Sequence, residues 1–86
     1  MYTVYVLQSE VDNSLYIGYS RDIKRRLVEH NSGKVSSTFS CRPYRLIYGE
    51  LFTNRNDAIL REKYLKTGWG RNYIKKTLQN TLKNKI

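Results

Sequence analysis

Three ionisable side chains fall where a small domain needs apolar ones. Between Ile23 and His30, a helical reading at about 100° per residue puts Ile23 and Leu27 on one buried stripe. His30 lies between them in angle, and Arg26 lies on the adjoining edge. Further on, Ala58 and Leu65 set a second stripe, with Glu62 within about 40° of Ala58 on the same side. Burying an unpaired carboxylate or guanidinium costs several kcal/mol. These groups must therefore either meet, as a Glu62–Arg26 ion pair tying two helices together, or line a wet, charged cleft open to phosphate and a cation. Taken alone, His30 also reads as a satisfied core histidine.

The elements that carry these residues follow from periodicity. From Tyr2 to Leu7 every residue except Thr3 is aliphatic or aromatic, which suits a central strand with two apolar faces. Val11-Asp12-Asn13-Ser14 has turn chemistry, and Leu15 to Tyr19 is a second β-prone run, so the two pair as an antiparallel hairpin. Arg45 to Phe52 supplies a third strand, with Gly49 marking a bulge. Ser20 is placed as the N-cap of a helix over 21–30, which Asn31-Ser32-Gly33 ends. The polar stretch 34–42 reads as a loop. Asn54 and Asp57 open a helix over 55–66 as a variant capping box, Thr67-Gly68-Trp69-Gly70 breaks it, and Ile74, Leu78 and Leu82 support a third helix over 71–83. The expected class is α+β: a three-stranded antiparallel sheet flanked by helices, in the order ββαβαα, as one domain over 1–86.

Composition narrows the partners. The 86 residues carry 16 Lys+Arg against 7 Asp+Glu, a formal charge of +9, and such a field draws polyanions. The excess is concentrated after residue 53, which points to the C-terminal third as a phosphate-facing surface; solubilising lysines on a small domain are the plainer account. Cys41 is the only cysteine and His30 the only histidine, so neither an internal disulfide nor a structural zinc site can form, and the expected setting is the cytoplasm. No apolar run approaches the roughly 18 residues of a membrane span, and the last four residues, Lys83 to Ile86, are expected to fray.

Read together, Thr3-Val4-Tyr5, Tyr16-Ile17-Gly18, Arg26, His30 and Glu62 resemble the GIY-YIG nuclease superfamily. The second motif is intact, and the first keeps its tyrosine but has Thr3 in place of glycine. Arg26 and His30 occupy the family's helical positions, ten and fourteen residues beyond Tyr16. The stretch Arg42-Pro43-Tyr44-Arg45-Leu46-Ile47-Tyr48 is similar to that of the small stand-alone, UPF0213-like subgroup. The resemblance implies a metal-dependent endonuclease that hydrolyses phosphodiester bonds in DNA, including a structure-selective one in DNA repair or processing. The alternative is a catalytically weak or inactive nucleic-acid-binding module of the same fold, which Thr3 raises.

Under that resemblance, Tyr5, Tyr16, Arg26, His30 and Glu62 are the catalytic set. Glu62 is the ligand of one Mg²⁺ or Mn²⁺, and a single carboxylate implies a site completed by water and phosphate. Arg26 offers a planar donor fork to phosphate oxygens. Either tyrosine is a candidate to deprotonate or orient the attacking water, a role that needs positive charge beside a phenol. For DNA contact the candidates are Lys24, Arg25, Thr38, Trp69, Arg71, Asn72, Lys75 and Lys76, with Ser36 and Ser37 beside Thr38 in the polar loop. Trp69 has two readings, a base-stacking surface beside a basic helix or an anchor of the third helix on the core. Tyr19 is a secondary candidate whose plain role is sheet packing.

Overall fold

The strand residues alternate faithfully enough to build a three-layer molecule. The computed structural model describes residues 1–83 and gives β1 (Tyr2–Ser9), β2 (Leu15–Ser20), α1 (Ile23–Asn31), a 3-10 turn (Ser36–Cys41), β3 (Tyr44–Phe52), α2 (Arg55–Leu65), α3 (Gly68–Thr77) and α4 (Gln79–Lys83). The sheet is antiparallel in the order β2-β1-β3, so the most apolar strand is central, as its two-faced sequence requires. Val4 and Val6 point to one side, where Ile17, Ala58, Leu65, Ile74 and Leu78 complete a buried cluster beneath α2 and α3. Tyr5 and Leu7 point to the other, where they meet Tyr44 and the α1 residues Ile23 and Leu27. The expected α+β class and the ββαβαα order hold, with the last helix in two pieces.

Several boundaries differ from the expected ones, each for a local reason. Ser20 remains in β2 opposite Thr3, and α1 is capped by Asp22, whose carboxylate accepts from Arg25 N at 3.1 Å; the Ser20 hydroxyl accepts from Asp22 N one step earlier. At the other end, Gly33 takes φ +85°, Gly33 N donates to His30 O, and Lys34 N donates to Glu29 O. That is a complete Schellman stop. The bulge in β3 falls at Ile47, because Val6 pairs with Tyr48 and Leu7 with Leu46, whereas Gly49 keeps a regular place opposite Tyr5. Stretch 34–42 is not a plain loop: its 3-10 turn buries Thr38 completely.

The expected break at 67–70 is a single cap. The Thr67 hydroxyl accepts from Gly70 N at 3.2 Å and α3 starts at Gly68, so only Lys66 and Thr67 separate α2 from α3. Gly70 permits this: a Cβ there would run into Tyr64 O and the Leu65 backbone, with Leu65 C at 2.8 Å. The helix then stops at Leu78, and Leu82 of α4 packs against the cluster. Of the expected fraying end, residues 84–86 lie outside the described residues. Among the described residues no helix is long and apolar enough to cross a membrane.

Candidate active site

The pairing register sets Tyr5 opposite Gly18 and explains why the second tyrosine motif ends in glycine. A Cβ on Gly18 would stand 2.6 Å from Tyr5 Oη and 2.8 Å from its Cζ. Without one, the phenol lies across the hairpin and reaches His30, with Oη 2.9 Å from Nε2. Tyr16, two residues before Gly18 and so on the same face, packs edge-on against the imidazole with ring centres 4.9 Å apart. Tyr5 is 1% exposed and His30 fully buried, while Tyr16 is half-buried.

His30 is fixed at both nitrogens. Nδ1 lies 2.8 Å from Thr38 Oγ1, and the Thr38 hydroxyl in turn donates to Val35 O at 3.3 Å. With its hydrogen so used, Thr38 accepts from Nδ1–H, and in the neutral ring Nε2 then accepts from the Tyr5 hydroxyl. Burial pushes the imidazole below its ordinary 6.5, with the positive charge of Arg26 acting the same way against the pull of Glu29. Burial also pushes the Tyr5 phenol above 10.0, and the Arg26 guanidinium beside it opposes that rise. The next residue, Asn31, holds the helix end in register: its amide donates to Tyr44 O at 2.9 Å and accepts from Tyr44 N at 2.7 Å.

Arg26 does not pair with Glu62. Its Nη1 donates to Glu29 Oε1 at 3.0 Å, and Arg25 Nε reaches the other oxygen at 3.2 Å, so two guanidinium groups hold the Glu29 carboxyl below its usual range. Arg26 and Glu29 line a cleft of about 430 Å³ between the end of β2 and α1, together with Tyr19, Arg21, Asp22 and Arg25. Glu29 and Asn31 escape notice in the sequence. The i,i+4 spacing of Arg25 and Glu29 was a readable signal; the long-range amide clamp of Asn31 has none.

Glu62 comes from the opposite layer. Helix α2 packs on β1 and β2, and the negative charge of Glu62 is the weakest of the influences that raise the Tyr5 phenol, after burial and the charge of Tyr16. Its carboxylate is mostly covered and lies 3.0 Å from Lys66 Nζ one turn on. Among the described residues no group of three His, Cys, Asp or Glu converges. One carboxylate paired only with a half-exposed lysine fits a divalent ion whose remaining ligands are water and phosphate.

The DNA-contact candidates divide between two faces. Lys24 and Arg25 are exposed on α1, while Arg71, Asn72, Lys75 and Lys76 are exposed on α3. Thr38 must be removed from this set, since its hydroxyl is buried against His30 and serves the imidazole rather than solvent. Trp69 does not anchor the core: it is 79% exposed, because Gly70 and Ile74 make the docking contacts of α3. Tyr19 packs at the margin of the α2 cluster and also borders the cleft.

Such a hairpin, with two tyrosines facing a helical His and Arg, defines the class, and comparison with known proteins agrees. The model of the GIY-YIG catalytic domain matches residues 1–83, and the chain belongs to the GIY-YIG nuclease family. It is 38% identical over 65 residues to a UPF0213 protein from Staphylococcus saprophyticus, covering 74% of this chain and 78% of that one. A UPF0213 protein from Bacillus pumilus is 44% identical over 68 residues, covering 78% of this chain and 67% of the relative. The solution NMR structure of a UPF0213 protein from Bacillus halodurans superposes with a TM-score of 0.52 at 31% identity, covering 86% of this chain and 82% of that one.

Proposed function

We propose that the protein is a metal-dependent endonuclease that hydrolyses phosphodiester bonds in DNA, one strand at a time, in repair or processing in the cytoplasm. The observation that carries the reading is the contact of Tyr5 Oη with His30 Nε2, 2.9 Å long, beneath a half-buried Tyr16 and beside Arg26. The scissile phosphate enters the cleft bordered by Arg21, Arg25 and Arg26, where the Arg26 fork exchanges Glu29 for phosphate oxygens. Tyr16 orients the attacking water. A free Tyr5 phenolate is costly in a buried site, so Tyr5 Oη takes the proton of the water while its own hydroxyl proton passes to His30 Nε2. The neutral imidazole is the proton store for that step. Glu62 would hold Mg²⁺ or Mn²⁺, which when bound would supply charge neutralisation on the phosphate.

The test is incubation of the purified protein with flapped, branched and nicked DNA, with and without Mg²⁺ or Mn²⁺, beside Glu62→Ala. Metal-dependent cleavage that disappears in the variant is expected; cleavage unchanged by the substitution would place the chemistry elsewhere. A second reading, a binding module that does not cut, draws on Thr3 in the place of the first-motif glycine. It predicts DNA binding with no cleavage under any metal.

A further inference from the structure

We infer that Trp69 is a stacking platform for an unpaired base of single-stranded DNA, with Arg71, Lys75 and Lys76 holding the adjoining phosphates. The inference rests on the nucleic-acid reading of the family but not on catalysis. At 79% exposed, the indole has no packing role to explain it: Thr67 caps the helix, and Gly70 and Ile74 dock it. A large aromatic ring left in water is the feature that contact surfaces add to a fold. Two clefts meet at this ring, one of about 390 Å³ bordered by Asn72, Tyr73, Lys75 and Lys76, the other of about 460 Å³ bordered by Gly68, Arg71, Asn72 and Lys75. Tyr73, 40% exposed, sets a second aromatic ring beside the first.

Charge selects the occupant. From Lys63 onward the sequence contains no acidic residue, and the nearest carboxylate to Tyr73, Glu50, is neutralised by Arg61, so the exposed charges around Trp69 are cationic and suit a polyanion rather than a mixed-charge protein surface. An aromatic ring among cations grips a nucleic acid through its base faces, which a duplex keeps stacked internally and a single strand offers freely. Trp69 follows Glu62 by one helical turn and a short connection, within roughly 18 Å along the chain. A strand anchored at Trp69 thus comes within a few nucleotides of the acid that the nuclease reading assigns to the metal. The substrate class is DNA with a single-stranded segment beside the scissile bond.

Trp69 is the only tryptophan, so its fluorescence reports the contact directly. The titration uses an end-labelled oligothymidine, with Glu62→Ala protein in EDTA to suppress any cleavage, and label anisotropy measures binding independently. Quenching that tracks anisotropy is expected, with little quenching by a blunt duplex of matching length. In the same background, Trp69→Ala should weaken single-strand binding roughly tenfold or more and Trp69→Phe less, both with an unchanged circular dichroism melt. Lys75→Gln with Lys76→Gln should reduce the salt dependence. Binding without quenching, or Trp69→Ala binding as tightly as its parent, overturns the platform, as does Trp69-dependent self-association in sedimentation with no DNA bound. Quenching by a protein that never cuts, when Glu62 is restored and metal supplied, supports the platform and overturns the nuclease reading alone.

Discussion

Tyr5 Oη lies 2.9 Å from His30 Nε2 and donates to it, joining the central strand to the last full turn of α1. Burial and the nearby Arg26 guanidinium disfavour the imidazolium, and in the neutral ring Nε2 is the acceptor that the Tyr5 hydroxyl needs.

A pH dependence of stability follows. The folded imidazole lies below its ordinary 6.5 because it is buried, so the unfolded chain binds more protons as pH falls past that value. The His30 contribution is therefore present above about pH 6.5 and is lost progressively on acidification. Glu29 and Glu50, held low by their arginine partners, act only below the ordinary 4.5. Urea unfolding at several pH values between about 7 and about 5 should show stability falling with pH in the parent and a flatter profile in His30→Gln. An equal slope in both would mean that His30 is charged in the folded state.

Gly18→Ala should separate folding from chemistry. The new Cβ, 2.6 Å from Tyr5 Oη, forces the phenol away from His30, and the packed ring has no open side to retreat into. A loss of about 1–3 kcal/mol is expected, together with a fall in cleavage rate of roughly a hundredfold, while DNA affinity is retained. A variant that cuts at the parental rate would show that the Tyr5–His30 contact is dispensable.

How much of this was legible in the sequence depended on whether the signal was local. The hairpin, the central position of β1 and the His30 stripe follow from periodicity; that Tyr5, Tyr16 and His30 meet on one face is what the family resemblance implies, whereas Glu62 comes from the opposite layer. Thr38 as a DNA contact and Trp69 as a core anchor both fail, for opposite reasons. A threonine in a polar stretch gives no hint that a 3-10 turn will bury it against an imidazole, and a tryptophan beside two glycines gives no hint that Gly70 does the docking. The Arg25–Glu29 spacing is legible in the sequence as an ordinary helical ion pair; its meaning at the site arises only from the second contact, to Arg26.

Gly70→Ala addresses the junction that carries α3. The added methyl meets main-chain atoms of Tyr64 and Leu65 rather than a movable side chain, so the helices must separate and Ile74, fully buried, loses its seat. A loss of about 3 kcal/mol or more is expected, comparable to emptying a core position. Thermal melts with Gly68→Ala as the control, where nothing lies within 4 Å of the added Cβ, decide the matter: equal melting of the two variants would refute the close approach.

Lys66→Met tests which carboxylate serves the metal. Lys66 Nζ lies 3.0 Å from Glu62 Oε2, with the lysine side chain 49% exposed, and such a pair adds at most about 1 kcal/mol to stability. Its removal should leave the melting temperature nearly unchanged. Its effect on a cation is another matter, because the ammonium group both occupies the carboxylate and repels a second positive charge arriving there. If Glu62 holds the ion, the Mg²⁺ concentration that half-saturates cleavage should fall roughly two- to fivefold, with the maximal rate little altered. A half-saturating concentration that stays put or rises would mean that the carboxylate released by Lys66 is not the one the metal uses.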